Sequence, residues 1–415
     1  MSTPSTESNL CEPPYPVSLS DESNNLTKWL HSKSTYNPQY LSEPEPTKAI
    51  QNTAQILNTH LKNLSIKQEI PPQLTAALES DTFFFSGFKT HHYLNEASKL
   101  LKDANGNLKP FNQFLNDIQK LDKTYNKNYL RAEYNFAAAS VQMAVKWKEW
   151  ERDGDEYNLQ YRTAGDDRVR EEHAAINNTT LPPSDPFWKS FLPPNGWNCR
   201  CTVSQVRKSS HPLSNSEEAI AKGNAMTDHP KKQIFRFNPG AQQKVFPPKH
   251  PYYKAEPPTD CSNCTKKLAY NKNSIKCTLC SINNTIKKTM DPKVASKMIK
   301  NDLIGKTIPT QVTQHNKNGI VKLNSHDLKD FLCKKHSRSS ESKWVLHEIQ
   351  RGNANLGQPQ FETLDMTRPN IQEKIKRGWQ GINVYNLTAF NKKWELKTAI
   401  IHNNYEVPYC IKEKP

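Results

Sequence analysis

Long apolar runs are missing from this chain, and their absence excludes one class of protein. Only 35% of the 415 residues are hydrophobic, and no stretch approaches the roughly 20 consecutive apolar residues that a membrane-spanning helix needs. The sequence therefore excludes an integral membrane protein. Residues 1–20 also lack the basic start and the apolar segment of a secretory signal, so we expect the protein to occupy the cytoplasm first.

An internal repeat of fixed period is also missing, which argues against a solenoid or a propeller. Glycine is scarce, with 13 residues beside 29 prolines. The chain has about two to three times the length of a typical domain. We therefore expect two or three units rather than one uninterrupted core.

Positive charge is concentrated in the second part of the chain. The net charge is +16, and residues 261–415 hold 27 basic and 12 acidic side chains, whereas residues 1–260 hold 30 and 29. A cationic surface of this kind attracts polyanions. We therefore predict contact between residues 261–415 and nucleic acid, and a solvated basic surface is the alternative.

Composition and periodicity divide the chain into six predicted segments and indicate a multidomain α+β protein. Apolar residues spaced by three and four predict helices before position 150, and Ser, Pro and Glu dominate the start of the chain. The predicted segments are a flexible arm (1–45), a helical region (46–150), a loop-rich block (151–208), a Pro-rich linker (209–260), a four-cysteine module (261–285) and a basic α+β domain (286–415).

The basic domain shows the patterns of a small antiparallel sheet preceded by helices. Alternating apolar residues predict strands at 381–385, 397–401 and 405–411, with a turn at 403–404. Ser325 is a candidate N-cap for a helix before them. We expect a three-stranded meander.

Two Cys-x-x-Cys pairs form the clearest chemical motif. Cys261 and Cys264 are separated by twelve residues from Cys277 and Cys280. Each pair directs two thiolates at one point, as in zinc-ribbon sites with tetrahedral Zn²⁺. We predict structural zinc, with two disulfides or an iron–sulfur cluster as alternatives. Because such binding is coupled to folding, the module should be disordered without metal.

Opposite charges are concentrated between positions 162 and 173. Arginine and carboxylate groups can pair bidentately and so stabilise loops that have little apolar support. The charged or titratable residues are Arg162, Asp166, Asp167, Arg168, Arg170, Glu171, Glu172 and His173. One interpretation of the region is therefore structural, a set of salt bridges and buried thiols.

A turn at Asn195 and Gly196 leads into Cys199 and Cys201. Residues two apart on a strand face the same side, so both sulfurs can reach one metal ion, with His173 as the nearest third ligand. A metal site at these three residues is the second interpretation. A catalytic pair of cysteine and histidine is the third, and no local signature supports it.

Three ordered blocks of this region resemble the phage Mu F-like head morphogenesis proteins, also called minor head proteins. The blocks span 161–173, 181–188 and 193–201, and the last ends in Asn-Cys-Arg-Cys. The helical segment 85–150 is similar to minor head proteins of Bacteroidetes phages and prophages. The residues that carry the motif are Arg162, Gly165, Asp166, Arg168, His173, Asp185, Phe187, Trp188, Pro194, Asn195, Gly196, Trp197, Cys199, Arg200 and Cys201.

The resemblance implies a role in head morphogenesis at the portal vertex. It implies portal, scaffold or capsid proteins as partners, contact with packaged DNA and no membrane. It places the protein in the host cytoplasm during assembly and then inside the virion head. Many relatives carry Cys-x-x-Cys where this chain has Arg170 and His173, so the resemblance implies no four-thiolate site here.

Mu F-like proteins are sometimes fused to small nuclease toxins of the barnase, EndoU or RelE kind, which the basic domain resembles in size and charge. For a ribonuclease, the candidates for proton transfer are His336, His347 and Glu348. The candidate phosphate-binding residues are Lys343, Arg351, Arg368, Lys374, Lys376 and Arg377. The other interpretation is a non-catalytic contact with DNA or capsid.

Overall fold

The first part of the chain is a set of helices. The computed structural model describes residues 20–253, 278–333 and 340–414, except positions 351, 353, 391 and 403. The first helices are α1 (Ser20–Lys33), α2 (Pro44–Leu57), α3 (Thr59–Lys67), α4 (Pro72–Lys99), α5 (Phe111–Asp122) and α6 (Leu130–Asp153). A π-helical turn, Lys123–Tyr129, joins the last two, and Pro38–Ser42 forms a 3₁₀ turn. The helices predicted for 46–150 are confirmed.

Helix α1 and the turn after it bury apolar side chains rather than forming a flexible arm. Leu26, Leu30 and Leu41 are buried in the main core. The prediction for residues 1–45 is therefore wrong over its described part, 20–45. Polar residues dominate this segment, but the few apolar ones are spaced so that one face of the helix is buried.

A small sheet with short helices follows α6. Its elements are β1 (Asn158–Arg162), α7 (Glu171–Ala174), β2 (Thr180–Leu181), α8 (Phe187–Phe191) and β3 (Thr202–Val206). The strand order is β2-β1-β3 and both pairings are antiparallel. Phe187, Trp188 and Tyr161 pack with Trp147 of α6 in a second hydrophobic cluster. This sheet positions the predicted motif.

The Pro-rich segment is folded against the helices. It contains α9 (Ser216–Met226), α10 (Pro230–Gln233), α11 (Pro239–Gln242) and a 3₁₀ turn at Pro251–Tyr253. The buried Asp81 carboxylate of α4 accepts hydrogen bonds of 2.9 Å from the backbone N–H groups of Val245 and Phe246. The linker predicted for 209–260 is thus wrong over 209–253, because several of its prolines begin short helices and Phe235, Val245 and Phe246 are buried.

The C-terminal part is a six-stranded sheet packed with helices. The helices are α12 (Thr278–Thr289), α13 (Pro292–Leu303), α14 (Ser325–Cys333), α15 (Ser340–Gln350) and α16 (Ile371–Lys376). The strands are β4 (Thr307–Pro309), β5 (Ile320–Lys322), β6 (Gln360–Glu362), β7 (Trp379–Ala389), β8 (Lys392–Ile401) and β9 (Tyr405–Lys414). The strand order is β4-β5-β9-β8-β7-β6, with only β5 and β9 parallel. The predicted three-stranded meander is confirmed as β7, β8 and β9.

The helical and C-terminal parts share one hydrophobic core. The rings of Phe84 in α4 and Trp344 in α15 lie edge to face with centroids 6.2 Å apart. One cluster of buried side chains includes Leu30 of α1, Ile286 of α12 and Ile411 of β9. The fold is thus α+β as predicted, but its basic part is packed on the helical part. The described helices contain no segment long and apolar enough to cross a membrane.

The predicted zinc-ribbon module cannot be placed in this fold. Cys261, Cys264 and Cys277 lie outside the described residues, and only the backbone of Cys280, in α12, lies within them. Structural zinc there stays a prediction.

Candidate functional site

Helix α7 and the segment before β3 bring His173, Cys199 and Cys201 together. The His173 N–H donates to the Arg170 carbonyl in the first turn of α7. The cysteines precede β3, which pairs with β1 so that Tyr161 lies opposite Val203. The predicted convergence of both sulfurs toward the histidine is therefore present in the structure.

The three donor atoms have separations that suit one metal ion. His173 Nδ1 lies 3.4 Å from Cys201 Sγ and 3.7 Å from Cys199 Sγ, and all three atoms lie within 4.8 Å of one another. Tetrahedral Zn²⁺, with bonds of about 2.0–2.3 Å to nitrogen and sulfur, holds its ligands about 3.6 Å apart. One imidazole and two thiols are a common donor set for zinc, so these residues fit the ion.

The thiols of Cys199 and Cys201 differ in their pKa. His173 and Cys201 are buried and Cys199 is half-buried. The hydrogen bond from the Cys201 thiol, helped by His173, lowers the pKa of Cys199 to about 4. The same hydrogen bond raises the pKa of Cys201 above its ordinary value. Cys199 is therefore the more acidic of the two thiols, and a bound cation would favour the deprotonated form of both.

Two buried groups hold the turn that carries the cysteines. The Tyr161 hydroxyl donates to Asn195 Oδ1 over 3.0 Å, and Asn195 Nδ2 donates to the Leu192 carbonyl. On the outside, Arg170 Nη2 donates to the Trp197 carbonyl over 2.6 Å. These contacts fix the turn from both sides, so the sulfurs are positioned before any ion binds.

A bidentate ion pair closes the loop beside the site. Arg200 Nη1 and Nη2 each donate over 2.6 Å to a different oxygen of the Asp166 carboxylate, and Arg168 adds a weaker contact of 3.3 Å. Arg200 lowers the pKa of Asp166 well below its ordinary range. The charge pattern predicted bidentate pairing within 162–173, but the structure places the main partner on the cysteine segment.

The remaining motif residues support the site without entering it. Phe187 and Trp188 are fully buried, and Asp185 accepts a hydrogen bond from the Phe187 N–H at the start of α8. Arg162 is exposed at the end of β1, and Gly165 has a φ of +73° in the loop that follows. These residues shape the loops around the three donor atoms.

The sequence of this region matches a known family. Residues 104–204 match the family described as Phage Mu protein F like protein. The chain carries a Mu F-like region. This region extends from the loop before α5 to β3, so it includes helices α5 and α6 as well as all three candidate metal ligands. The resemblance seen in the sequence motif is therefore confirmed.

Curated relatives of the Mu F-like region cover only part of the chain. The putative capsid assembly protein F of Escherichia phage Mu is 35% identical over 107 residues, 25% of this chain and 22% of that protein. The Mu-like prophage FluMu F protein of Haemophilus influenzae is 37% identical over 46 residues, 11% of each chain. The chain thus spans less than a quarter of the length of these relatives. No solved structure matches it significantly, and the similarity to Bacteroidetes phages stays a prediction.

The candidate acid–base residues of the C-terminal part contact charged side chains of neighbouring helices. His347 Nε2 lies 3.0 Å from Asp302 Oδ2, and Glu348 Oε1 forms an ion pair of 2.5 Å with Lys287 Nζ. All but Asp302 are buried. These contacts join α12, α13 and α15, so they account for His347 and Glu348 as packing residues. The third candidate, His336, lies outside the described residues.

The predicted phosphate-binding residues separate into buried and exposed groups. Lys343 is buried, and its Nζ donates to Ser296 Oγ and to the Leu332 carbonyl. The prediction that Lys343 contacts phosphate is therefore wrong, because its donors point into the protein. Arg368, Lys374, Lys376 and Arg377 lie in and around α16 and are exposed or half-buried, while Arg351 lies outside the described residues.

Proposed function

We propose that this chain acts in head morphogenesis of a tailed bacteriophage or prophage. The match of residues 104–204 to the Mu F-like family carries the proposal. It is supported by the relative from Escherichia phage Mu, whose name describes capsid assembly. The partners would be portal, scaffold or capsid proteins, and the sites of action would be the host cytoplasm during assembly and the interior of the head.

We further propose that the basic C-terminal part contacts packaged nucleic acid, while the Mu F-like region binds the head proteins at the portal vertex. The excess of basic over acidic residues in 261–415 supports this division. Because the two parts share one core, they would move as one body. A head-bound protein would then hold its basic surface at a fixed position relative to the portal.

The Mu F-like region would bind one structural Zn²⁺ through His173, Cys199 and Cys201. The ion would join α7 to the turn before β3 and so add a crosslink to the hydrophobic cluster of this block. The fourth ligand would be water or a partner's side chain. We retain a second structural zinc at Cys261, Cys264, Cys277 and Cys280 as a proposal from the sequence.

Metal content tests the two zinc sites separately. The full chain, purified without chelator, should contain two zinc ions per molecule when its metal content is measured by inductively coupled plasma mass spectrometry. The double variant Cys199→Ser/Cys201→Ser and the double variant Cys261→Ser/Cys264→Ser should each lose one. Cys410→Ser, a buried thiol in β9, is the control and should lose none. Unchanged zinc in the first variant would show that the Mu F-like region binds no metal.

Particle assembly tests the function. Deleting the coding sequence from the phage or prophage genome should abolish DNA-filled heads in electron micrographs of lysates, and the full chain supplied from a plasmid should restore them. Infectious particles in normal yield without the chain would overturn the proposal. Glu373→Gln, at an exposed position of α16, is a complementation control that should restore heads fully.

A further inference from the structure

The two faces of the β7-β8-β9 meander contribute their apolar side chains to different hydrophobic clusters. On the inner face, Tyr385, Leu396 and Ile411 belong to the main core. On the outer face, Ala399, Ile401 and Val407 form a separate small cluster, and the half-buried rings of Trp379 and Tyr405 pack against it. Ala399, Ile401 and Val407 are buried, so the outer face covers an apolar cluster separate from the main core, and its partly accessible aromatic surface comes from the half-buried rings.

Cations lie over the aromatic rings of this outer face. Lys374 Nζ, from α16, is 4.9 Å from the centroid of Trp379 and 4.7 Å from that of Tyr409. Lys322 Nζ lies 3.9 Å from the ring of Tyr405. Trp379 and Tyr409 also contact each other edge to face, with centroids 5.0 Å apart. The three rings therefore form one surface with positive charge at two places.

A row of further cations extends from the rings along β8 and β9. Alternation from the buried Trp394 places Lys393, Glu395 and Lys397 on the outer face, and Lys414 lies opposite Lys393 in the register. The cations of this surface are Lys322, Arg368, Lys374, Lys393, Lys397, Lys412 and Lys414, and the carboxylates are Glu362, Asp365 and Glu395. The cations outnumber the carboxylates, and Arg368, Lys397 and Lys414 form ion pairs with those carboxylates, so the net positive charge of the face comes from the other four lysines.

We propose that this outer face binds single-stranded nucleic acid. Bases stack on aromatic rings that are partly accessible, as the half-buried rings of Trp379, Tyr405 and Tyr409 are, and lysines neutralise the backbone that connects the bases. A duplex hides its bases, so it could use only the lysines. The inference deepens the nucleic-acid contact of the proposed function and rests on that part of it. The binding surface is the outer face of the meander, and the ligand is nucleic acid whose bases are unpaired.

The arrangement assigns different roles to the rings and the lysines. Trp379 and Tyr409 would supply stacking, which is insensitive to salt. Lys322 and Lys374 would supply charge, and each phosphate that they neutralise steepens the salt dependence of binding. Loss of a ring would therefore lower the affinity alone, whereas loss of a lysine would lower both the affinity and its salt dependence. An acidic protein has no bases to stack, so its binding would not show this difference.

The test is fluorescence anisotropy of the full chain with a labelled 20-nucleotide single strand and the corresponding duplex. Wild type should prefer the single strand at least about tenfold. Lys322→Gln/Lys374→Gln should weaken single-strand binding about tenfold. The slope of the logarithm of the association constant against the logarithm of the salt concentration should become shallower by about one to 1.5, since each lost phosphate contact removes about 0.7 from it. Trp379→Leu, which removes a ring that has no hydroxyl to hold Lys374, should weaken binding with an unchanged slope. Lys297→Gln/Lys306→Gln, which removes two exposed cations elsewhere, is the control.

Equal affinity for duplex and single strand, or wild-type affinity in both the lysine and the ring variants, would overturn the assignment. Competition by polyglutamate as effective as competition by the oligonucleotide would identify the face as a site for acidic protein instead. Thermal unfolding of each variant checks that it is folded. Head formation is measured separately, by electron microscopy of lysates. A negative result in the binding experiment would therefore not contradict the proposed role in head assembly.

Discussion

Gly87 in α4 lies directly against the side chain of Ile286 in α12. A Cβ added to Gly87 would lie 2.6 Å from both Cδ1 and Cγ1 of Ile286, which is fully buried. The two helices therefore approach each other as closely as a glycine allows. This contact joins the helical part of the chain to its basic part.

Gly87→Ala should destabilise the whole protein. Either α12 must move or the isoleucine must leave its rotamer, and overpacking of this kind costs about 1–3 kcal/mol in the free energy of unfolding. Urea unfolding followed by circular dichroism measures it. Gly357→Ala is the matched control, because the nearest atom to its added Cβ is 3.6 Å away. In Gly87→Ala/Ile286→Ala the clash is relieved, so the two costs should not add. If the stability loss of the double variant equalled the sum of the losses of the two single variants, the contact between Gly87 and Ile286 would be contradicted.

Gly240→Ala tests the packing of the Pro-rich segment. A Cβ on Gly240 would overlap the Trp147 side chain of α6, and Gly240 is buried. We expect a loss of about 1–3 kcal/mol in unfolding free energy and faster proteolysis within 209–253. An extended linker would tolerate the methyl group, so unchanged stability and cleavage would restore the linker interpretation.

The sequence predicted those features that depend on local spacing. Cys199 and Cys201 are two residues apart, and a strand after the turn would bring their sulfurs to one side. The sulfurs do converge on His173, although both cysteines precede β3. Strands β7 to β9 carry alternating apolar residues and a turn between the last two, which are also local signals. Their predicted positions therefore agree with the structure.

The sequence could not predict the contacts that join distant segments. Phe246 stacks on Phe85 of α4 with ring centroids 3.6 Å apart, and nothing near Phe246 in the sequence indicates that partner. Proline density suggested an extended chain there, since prolines in linkers and prolines that begin helices look alike without their contacts. The pairing of Asp166 with Arg200 was hidden for the same reason.

Glu406 should be among the residues of the C-terminal sheet that tolerate replacement least. It is fully buried and accepts hydrogen bonds from Asn316, Asn383, Tyr385 and Thr398. Glu406→Ala leaves these donors without their acceptor, and each buried group left unsatisfied costs about 1–3 kcal/mol. Glu406→Gln keeps one oxygen and should cost less than Glu406→Ala.

Urea unfolding should thus rank the variants as wild type, then Glu406→Gln, then Glu406→Ala. Glu413→Ala is the control, since Glu413 is an exposed residue of the same strand, paired with Lys392, and surface pairs contribute little. If Glu406→Ala were as stable as Glu413→Ala, the hydrogen-bonded carboxylate would not be a structural element of the sheet.

Acid should weaken the fold through two histidines, the half-buried His91 and the buried His250. Burial lowers the pKa of His91 to about 4, with the neighbouring His92 adding to the effect, and lowers that of His250 to about 3. The ordinary value is 6.5. Between pH 6.5 and 4 the unfolded chain therefore binds protons that the folded chain does not, so the free energy of unfolding falls as the pH falls.

Each histidine should contribute a slope of up to about 1.4 kcal/mol per pH unit in that window, and none above pH 7. Urea unfolding at pH 7.5, 6.5, 5.5 and 4.5 measures the slope. His91→Gln/His250→Gln lacks both titrating groups, so its stability should fall less between pH 6.5 and 4.5, even if it is lower at pH 7.5. Parallel curves for the variant and the wild type would show that other groups cause the acid sensitivity.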